Sequence, residues 1–347
     1  MRQTGDLRVN AVRPLVPPAI LMEDLPITES AAEFIAHHRT EVERSLSGES
    51  RRLVVVIGPC SIHDPAAGLE YAAQLKLLAD RYQSVLHIVM RCYFEKPRTT
   101  VGWKGLINDP DIDGSFRINK GLRLARKFLL DVVALGLPTA TEFLDTTVPQ
   151  HIADLIVWGA IGARTTESQT HRALASGLSM PIGFKNATDG NVQIAIDAMK
   201  AARQPHWFPG STKEGVSAII QTTGNPTGHV VLRGGSRTGP NYSEEHVRNA
   251  ATILERESLP HRLMVDLSHA NSSKNHVRQI DVAEAVGQQL GQPDCPIFSV
   301  MIESFLVEGR QDPQPGQPMT FGQSITDACL SFDQTKLALD HLANALR

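Results

Sequence analysis

The sequence predicts an α/β protein built as a (β/α)8 TIM barrel with an N-terminal extension and an inserted β-hairpin. Two observations carry that prediction. From residue 53 onward, eight short, nearly all-apolar runs alternate with longer helical patterns, as expected of parallel strands covered on both faces. Each run also brings a polar or ionisable residue to its C-terminal end, the face on which such barrels carry their active sites. An open doubly wound sheet is the alternative architecture.

The runs are LVVVIG (53–58), LHIVMR (86–91), PTATEF (138–143), VWGAIG (157–162), PIGFKN (181–186), HVVLRG (229–234), LMVDLSH (263–269) and IFSVMIES (297–304). Helical periods fall between them, in GLEYAAQLKLLADRY (68–82), NKGLRLARKFLLDVVALG (119–136) and GNVQIAIDAMKAAR (190–203). Three segments exceed a minimal barrel. Residues 1–50 form the extension, with a helix expected over TESAAEFIAHHRTEVERSL, and residues 51–347 the catalytic barrel. A long polar loop, 94–115, follows the second strand. HWFPGSTKEGVSAIIQTTGNPTGH (206–229) reads as a hairpin inserted before strand six, and QDPQPGQP (311–318) as an exposed loop after strand eight.

Composition narrows the function classes. The 347 residues are 41% hydrophobic and 20% charged, ordinary for a globular enzyme. A net charge of −3 gives no reason to expect nucleic acid or membrane as partner. The stretch MRQTGDLRVNAVRPLVPP lacks the apolar core of a signal peptide, and no apolar run approaches the ~20 residues that span a bilayer. Cys60, Cys92, Cys295 and Cys329 fit no disulfide or CxxC framework, so a reducing cytoplasm is the expected setting.

The strand ends bring Cys60, Arg91, Glu142, Arg164, Lys185, Arg233, Asp266 with His269, and Glu303 to one face. Rim salt bridges would explain any one of them, but not all. Arg91, Arg164, Lys185 and Arg233 would repel one another unless an anion with several oxygens lay between them, and arginine forks suit phosphate or carboxylate. EKPRTTVGWKG (95–105) adds Lys96, Arg98 and two threonine hydroxyls, enough for a second phosphate; a solvated basic turn is the plainer reading.

Barrel closure makes Cys60, His269 and Glu303 neighbours, and Asp327 in SITDAC can fold over the same rim. One thiolate, one imidazole and two carboxylates suit a divalent transition metal such as Mn2+, Fe2+, Co2+ or Zn2+. Alternatively Cys60 is a small core filler, or a nucleophile with His269 as base. It could also be half of a Cys-x-x-His pair with His63, although no second pair accompanies that one.

These residues lie in stretches that carry a family resemblance. GPCSIHDP, MRCYFEKPRTTVGWKGLINDP, TATEFLD, WGAIGARTTESQTHR, PIGFKNATDG, HVVLRGG, MVDLSHANSSK, ESFLVEG and SITDAC together resemble type I 3-deoxy-D-arabino-heptulosonate-7-phosphate (DAHP) synthases, over essentially the whole chain. The resemblance implies condensation of phosphoenolpyruvate with erythrose 4-phosphate, a divalent metal, and feedback inhibition by an aromatic amino acid. It implies Cys60, His269, Glu303 and Asp327 as metal ligands, and Arg91, Arg164, Lys185 and Arg233 as the phosphoenolpyruvate site. It implies Lys96, Pro97, Arg98 and Thr99, with Asp266, as the erythrose 4-phosphate site. From the demands of the reaction, Glu142 and Lys185 are candidates for handling the attacking water, and His269 or Asp327 for protonating the alkoxide.

The resemblance also implies an effector site between the barrel and the added segments. Its matching positions are Asp145, Thr146, Pro149, Gln150, Leu174, Leu178, Ser179, Phe208 and Gly210, with Asp6 and Leu7 reaching over from a neighbouring subunit, hence at least a dimer and either a homodimer or a homotetramer. Ordinary core and interface packing would also account for them. Phenylalanine-sensitive relatives carry serine where Gly210 stands and tyrosine-sensitive ones tend to carry glycine. Tyrosine is therefore the expected inhibitor, although DLRVNAVRPLVPPAIL looks more like the phenylalanine-sensitive group. A synthase acting on another aldose phosphate, such as 3-deoxy-D-manno-octulosonate-8-phosphate synthase, is the nearest enzyme alternative. A catalytically silent sensor of aromatic amino acids is the alternative of another class.

Overall fold

Every residue of the eight barrel strands is buried, which is why the sequence shows continuous apolar runs and not alternation. The computed structural model describes residues 2–98, 102–314 and 317–347. Its strands in chain order are β1 (Leu53–Gly58), β2 (Leu86–Arg91), β3 (Thr139–Glu142), β4 (Trp158–Ile161), β5 (Ile182–Lys185), β6 (Trp207–Ser211), β7 (Ser217–Gln221), β8 (Gly228–Leu232), β9 (Leu263–Asp266) and β10 (Ile297–Glu303). β6 and β7 form the inserted antiparallel hairpin, and the other eight close in the order β1-β10-β9-β8-β5-β4-β3-β2. The fold class read from the sequence is therefore the observed one.

The pleat sends successive side chains to opposite faces. Val54 and Val56 join Val89, Ala160, Val231, Met264 and Met301 in one cluster, while Val55 and Ile57 join the cluster under the helices. Those helices are α3 (Pro65–Tyr82), α4 (Ile118–Ala134), α5 (Pro149–Ile152), α6 (Gln169–Ala175), α7 (Gln193–Ala202), α8 (Glu244–Arg256), α9 (Gln279–Leu290) and α10 (Phe332–Asn344), preceded in the extension by two more, Pro18–Asp24 and Glu29–Ser47. Their starts obey local chemistry. Asp64 accepts from Ala66 and Ala67 N–H before Pro65, and Ser331 with Gln334 forms a capping box.

The apolar runs overshoot some strand ends. LMVDLSH stops being strand at Asp266 because that carboxylate accepts the Ser268 N–H at 3.0 Å and turns the chain. Two short strands were not anticipated, β11 (Val307–Arg310) and β12 (Gln323–Ser324). They fold the 323–330 segment back over the end of β10, where Leu330 N–H donates to Glu303 O at 3.0 Å and Gly309 and Cys329 exchange both backbone bonds. The described part of 311–318 carries no regular structure. Among the described residues, no helix is long and apolar enough to cross a membrane.

The extension helix Glu29–Ser47 begins at Thr28, whose hydroxyl accepts from Ala31 N–H, and ends at Gly48 with φ +88°. It packs Ile35, Val42 and Leu46 into the barrel-interior cluster, each burial stabilising by about 1.5–3 kcal/mol. Arg39 donates to Ile156 O and Ala153 O at 2.9 and 2.8 Å, and His38 Nδ1 meets His87 Nε2 of β2 at 2.8 Å.

Burial, then the neighbouring His38, pushes His87 down to about 3, and burial with His37 pushes His38 down to about 4. Both imidazoles are neutral in the folded chain at pH 7, whereas the unfolded chain takes up protons near the ordinary 6.5. Their contribution to stability is thus complete above about pH 6.5 and is lost as pH falls toward the folded values. His87→Gln should show a shallower fall in Tm between about pH 6.5 and 4.5 than the parent. Parallel melting profiles would exclude this pair as a source of acid sensitivity.

Candidate active site

The C-terminal ends of β2, β5 and β8 carry Arg91, Lys185 and Arg233, and the turn after β4 carries Arg164. All four line one cavity of about 300 Å³, together with Lys96, Pro97, Arg98 and Glu142. Glu142 ends β3, and its carboxylate occupies the space over Gly162, where a Cβ would approach Oε1 to 2.3 Å. The glycine in WGAIGAR is thus a requirement for seating Glu142.

Arg91 is wholly buried and ties three strand ends together. It donates to Pro59 O at 3.1 Å, Cys60 O at 3.2 Å and Glu303 Oε1 at 2.8 Å. Its guanidinium lies 3.7 Å from the centre of the Tyr93 ring. Burial would lower its pKa, but Glu303, Tyr93, Cys60 and Asp266 together raise it. Lys185 sits 3.6 Å from Glu142 and 3.7 Å from Asp266. Burial pushes Glu142 up, yet Lys185, Lys96, Arg91 and His269 outweigh it and hold the carboxyl below its ordinary range.

Deeper in the mouth, Cys60, Glu303 and Asp327 each bring a ligand atom within 4.8 Å of the others. β1 and β10 pair in register at Gly58 and Glu303, and Ser304 N–H donates to Gly58 O at 2.9 Å. The β11–β12 fold-back and a Ser61–Thr326 hydroxyl contact of 2.8 Å carry Asp327 over them, 3.5 Å from the sulfur. Burial, then Glu303, pushes the Cys60 thiol up to about 11, while Lys96 opposes with its ammonium 3.0 Å from the sulfur. Such a thiol ionises when a cation meets it, so this donor set fits a divalent transition metal and not a free nucleophile.

His269 lies beside this group of three. Its Nε2 is 4.0 Å from Glu303 Oε1, and its Nδ1 meets Asp266 at 2.9 Å and Ser268 Oγ at 2.7 Å. A carboxylate behind an imidazole is how metal-binding histidines are commonly oriented. Asp266 itself does not line the cavity: it is fully buried, and its contacts go to Ser268, His269 and Lys185. Thr99 lies outside the described residues. His63 points away into an edge contact with Phe305. Tyr93, Thr188 and Lys274, not singled out in the sequence, also belong to the mouth. Tyr93 lies within the quoted MRCYFEKPR stretch and Lys274 within SHANSSK, but neither residue type carries a spacing signal.

A second cavity, of about 670 Å³, opens between the barrel, the hairpin and the long extension helix. Of the expected effector positions it is lined by all but Asp145, Asp6 and Leu7. Ile35, Arg39, Lys213 and Ile220 line it too. At Gly210 a Cβ would meet Ile220 Cγ1 at 2.8 Å, so the room freed by the missing serine side chain is taken by isoleucine.

Replacing Arg91 with methionine would strand the Glu303 carboxylate in the interior, which costs about 3–5 kcal/mol. Urea denaturation should show that loss, and Glu303→Gln in the same background should recover part of it. An additive double variant would mean that the two side chains do not act as a pair.

The comparisons agree with this geometry. Residues 26–340 match the model of the DAHP synthetase I family. A phenylalanine-sensitive phospho-2-dehydro-3-deoxyheptonate aldolase from Escherichia coli K12 is 54% identical over 99% of this chain and 98% of its own. A tryptophan-sensitive one from Escherichia coli O157:H7 is 53% identical over 100% and 99%. The structure of a phospho-2-dehydro-3-deoxyheptonate aldolase from Francisella tularensis SCHU S4 superposes with a TM-score of 0.95 at 51% identity, covering 97% of this chain and 98% of that one. The chain belongs to the DAHP synthetase I family of enzymes.

Proposed function

We propose that the chain condenses phosphoenolpyruvate with D-erythrose 4-phosphate and water to give DAHP and phosphate, the first step toward chorismate and the aromatic amino acids, in the cytoplasm. The observation that carries this reading is the meeting of Arg91, Arg164, Lys185 and Arg233 with the Cys60, Glu303 and Asp327 group at one mouth.

The cations bind the phosphate and carboxylate of phosphoenolpyruvate and fix its C3 against the aldehyde carbon, where proximity is worth about 7–11 kcal/mol. Lys96, Pro97 and Arg98 hold the acceptor, and Asp266 positions His269 and Lys185 from behind. A divalent metal ion, held by Cys60, Glu303 and Asp327 with His269, supplies Lewis-acid polarisation of the aldehyde when bound. As C3 forms its bond, C2 gains positive character and water must add there. Glu142, kept ionised by Lys185, takes a proton from that water, and loss of phosphate from C2 leaves the ketone. The proton given up by that water is passed on to the new alkoxide by way of His269 or Asp327, so that the proton count closes.

The 670 Å³ cavity takes an aromatic amino acid as feedback inhibitor. The glycine at position 210, with Ile220 packed beside it, favours tyrosine over phenylalanine. The chain works as a homodimer or homotetramer. Leu7, Val9 and Val12 of the extension and Trp207 and Ile219 of the hairpin are exposed apolar side chains that suit a second copy. Asp6 and Leu7 do not line their own chain's cavity, and a neighbour's would complete it.

Chelator-treated protein should release no phosphate from the two substrates, and Mn2+ should restore turnover. Preference for arabinose 5-phosphate would favour the octulosonate reading, and no turnover with any metal would favour a silent sensor. Added separately, tyrosine should inhibit most strongly; stronger inhibition by phenylalanine or tryptophan would overturn the tyrosine assignment.

A further inference from the structure

The cavity that holds the cation cluster, about 300 Å³, meets another of about 330 Å³ on the far side of His269 and Asp327. Arg98, His269, Lys274 and Asp327 line both. His269 and Asp327 belong to the metal-ligand set, which leaves Arg98 and Lys274 as the two cations at the junction. We infer that Lys274 is a substrate-binding residue whose ammonium receives, with Arg98, the phosphate of the phosphorylated aldehyde. The inference rests on the reading of this mouth as a phosphoenolpyruvate–aldose phosphate condensation site.

Charge accounting separates Lys274 from the deeper cations. Arg91 and Lys185 serve phosphoenolpyruvate and are already partnered, Arg91 by Glu303 at 2.8 Å and Lys185 by Glu142 and Asp266, while Lys96 bonds the Cys60 sulfur at 3.0 Å. Lys274 is exposed, and none of the ion pairs or side-chain hydrogen bonds among the described residues involves its ammonium. Two phosphorylated substrates cannot share one set of cations without mutual repulsion, so the acceptor phosphate needs charge of its own near the entrance. A lysine supplies that as a point charge that tolerates several phosphate orientations.

The backbone holds Lys274 in place at a conformational cost. His269, Ser273 and Lys274 have φ of +57°, +54° and +60°, a left-handed region that non-glycine residues rarely adopt. Such conformations persist where the surroundings fix them, and they gather at functional sites. Here the buried Asn271 side chain donates to Leu232 O at 3.1 Å and to Asp266 O at 2.8 Å, and accepts from Asn241 N–H at 2.8 Å. Lys274 N–H closes the loop on His269 O at 2.8 Å. The backbone of Lys274 is thereby indexed to that of His269, which sets the side chain at the junction within reach of an acceptor phosphate.

The test is steady-state kinetics of the Mn2+-supplemented full-length enzyme and of Lys274→Met. The KM for erythrose 4-phosphate should rise at least roughly fivefold, on the scale of a lost charge-assisted hydrogen bond. The KM for phosphoenolpyruvate should stay within about twofold of the parent, and kcat/KM for unphosphorylated erythrose should not change. Lys274→Gly, where a left-handed backbone costs nothing, should show the same selective loss, and Lys274→Arg should restore most of it. A smaller rise, or a loss shared by erythrose or by phosphoenolpyruvate, overturns the assignment. A parent enzyme that does not condense the two substrates would instead sink the underlying reading.

Discussion

The Arg91 guanidinium, shut away from solvent, bonds the Glu303 carboxylate across the seam where β2, β1 and β10 run side by side. Two buried charges are expensive, and a pair of apolar side chains would fill the same volume at less cost. The pair makes sense because each partner has a second engagement. Arg91 faces the anion cavity, and Glu303 contributes an oxygen to the group that includes Cys60 and Asp327. The main chain of Glu303 is held from behind: Gln279 of α9 both accepts from the Glu303 N–H at 2.8 Å and donates to its carbonyl at 3.0 Å. The site is therefore built on strand ends and rigid main chain, where positions are held more closely than loops allow.

A different set of elements makes the 670 Å³ cavity. The long extension helix is fixed to the barrel by Arg39 and by the His38–His87 contact, and it forms one wall; the β6–β7 hairpin forms another. The segment after β3 links the two sites. Leu144 and Asp145 N–H both donate to Glu95, which precedes Lys96 in the loop of the cation-lined cavity, and Thr146 already lines the 670 Å³ cavity. Burial, then Asp145, pushes the Glu95 carboxyl up to about 8, a sign of how fully that contact is removed from water.

The fold was legible because parallel strands buried on both faces leave no ambiguity of period. Cys60, Arg91, Lys185, Arg233 and Glu303 were legible because charge at the end of an apolar run has few structural uses. Asp266 obeyed the same pattern and still turned out to stand behind the cavity, since the sequence does not say which way a strand-end carboxylate turns. Asp327 was legible as a loop carboxylate able to fold over the rim, but the β11–β12 fold-back that delivers it was not, because it has no apolar period to read. Gly210 was visible, but its meaning depends on Ile220, a diagonal neighbour across the hairpin, since in the register Gly210 pairs with Ala218 and Ile220 with Phe208. Lys274 was hidden because left-handed backbone at lysine has no sequence signature.

The central claim is that barrel closure assembles a metal centre in which the Cys60 sulfur is a ligand. Titrating the metal-free protein with Co2+ and recording the near-ultraviolet sulfur-to-cobalt charge-transfer band tests it most directly. One equivalent per chain should saturate the band, and Cys60→Ser should abolish it while leaving the circular dichroism of the barrel unchanged. A band that survives in Cys60→Ser, or no band in the parent, would contradict the account.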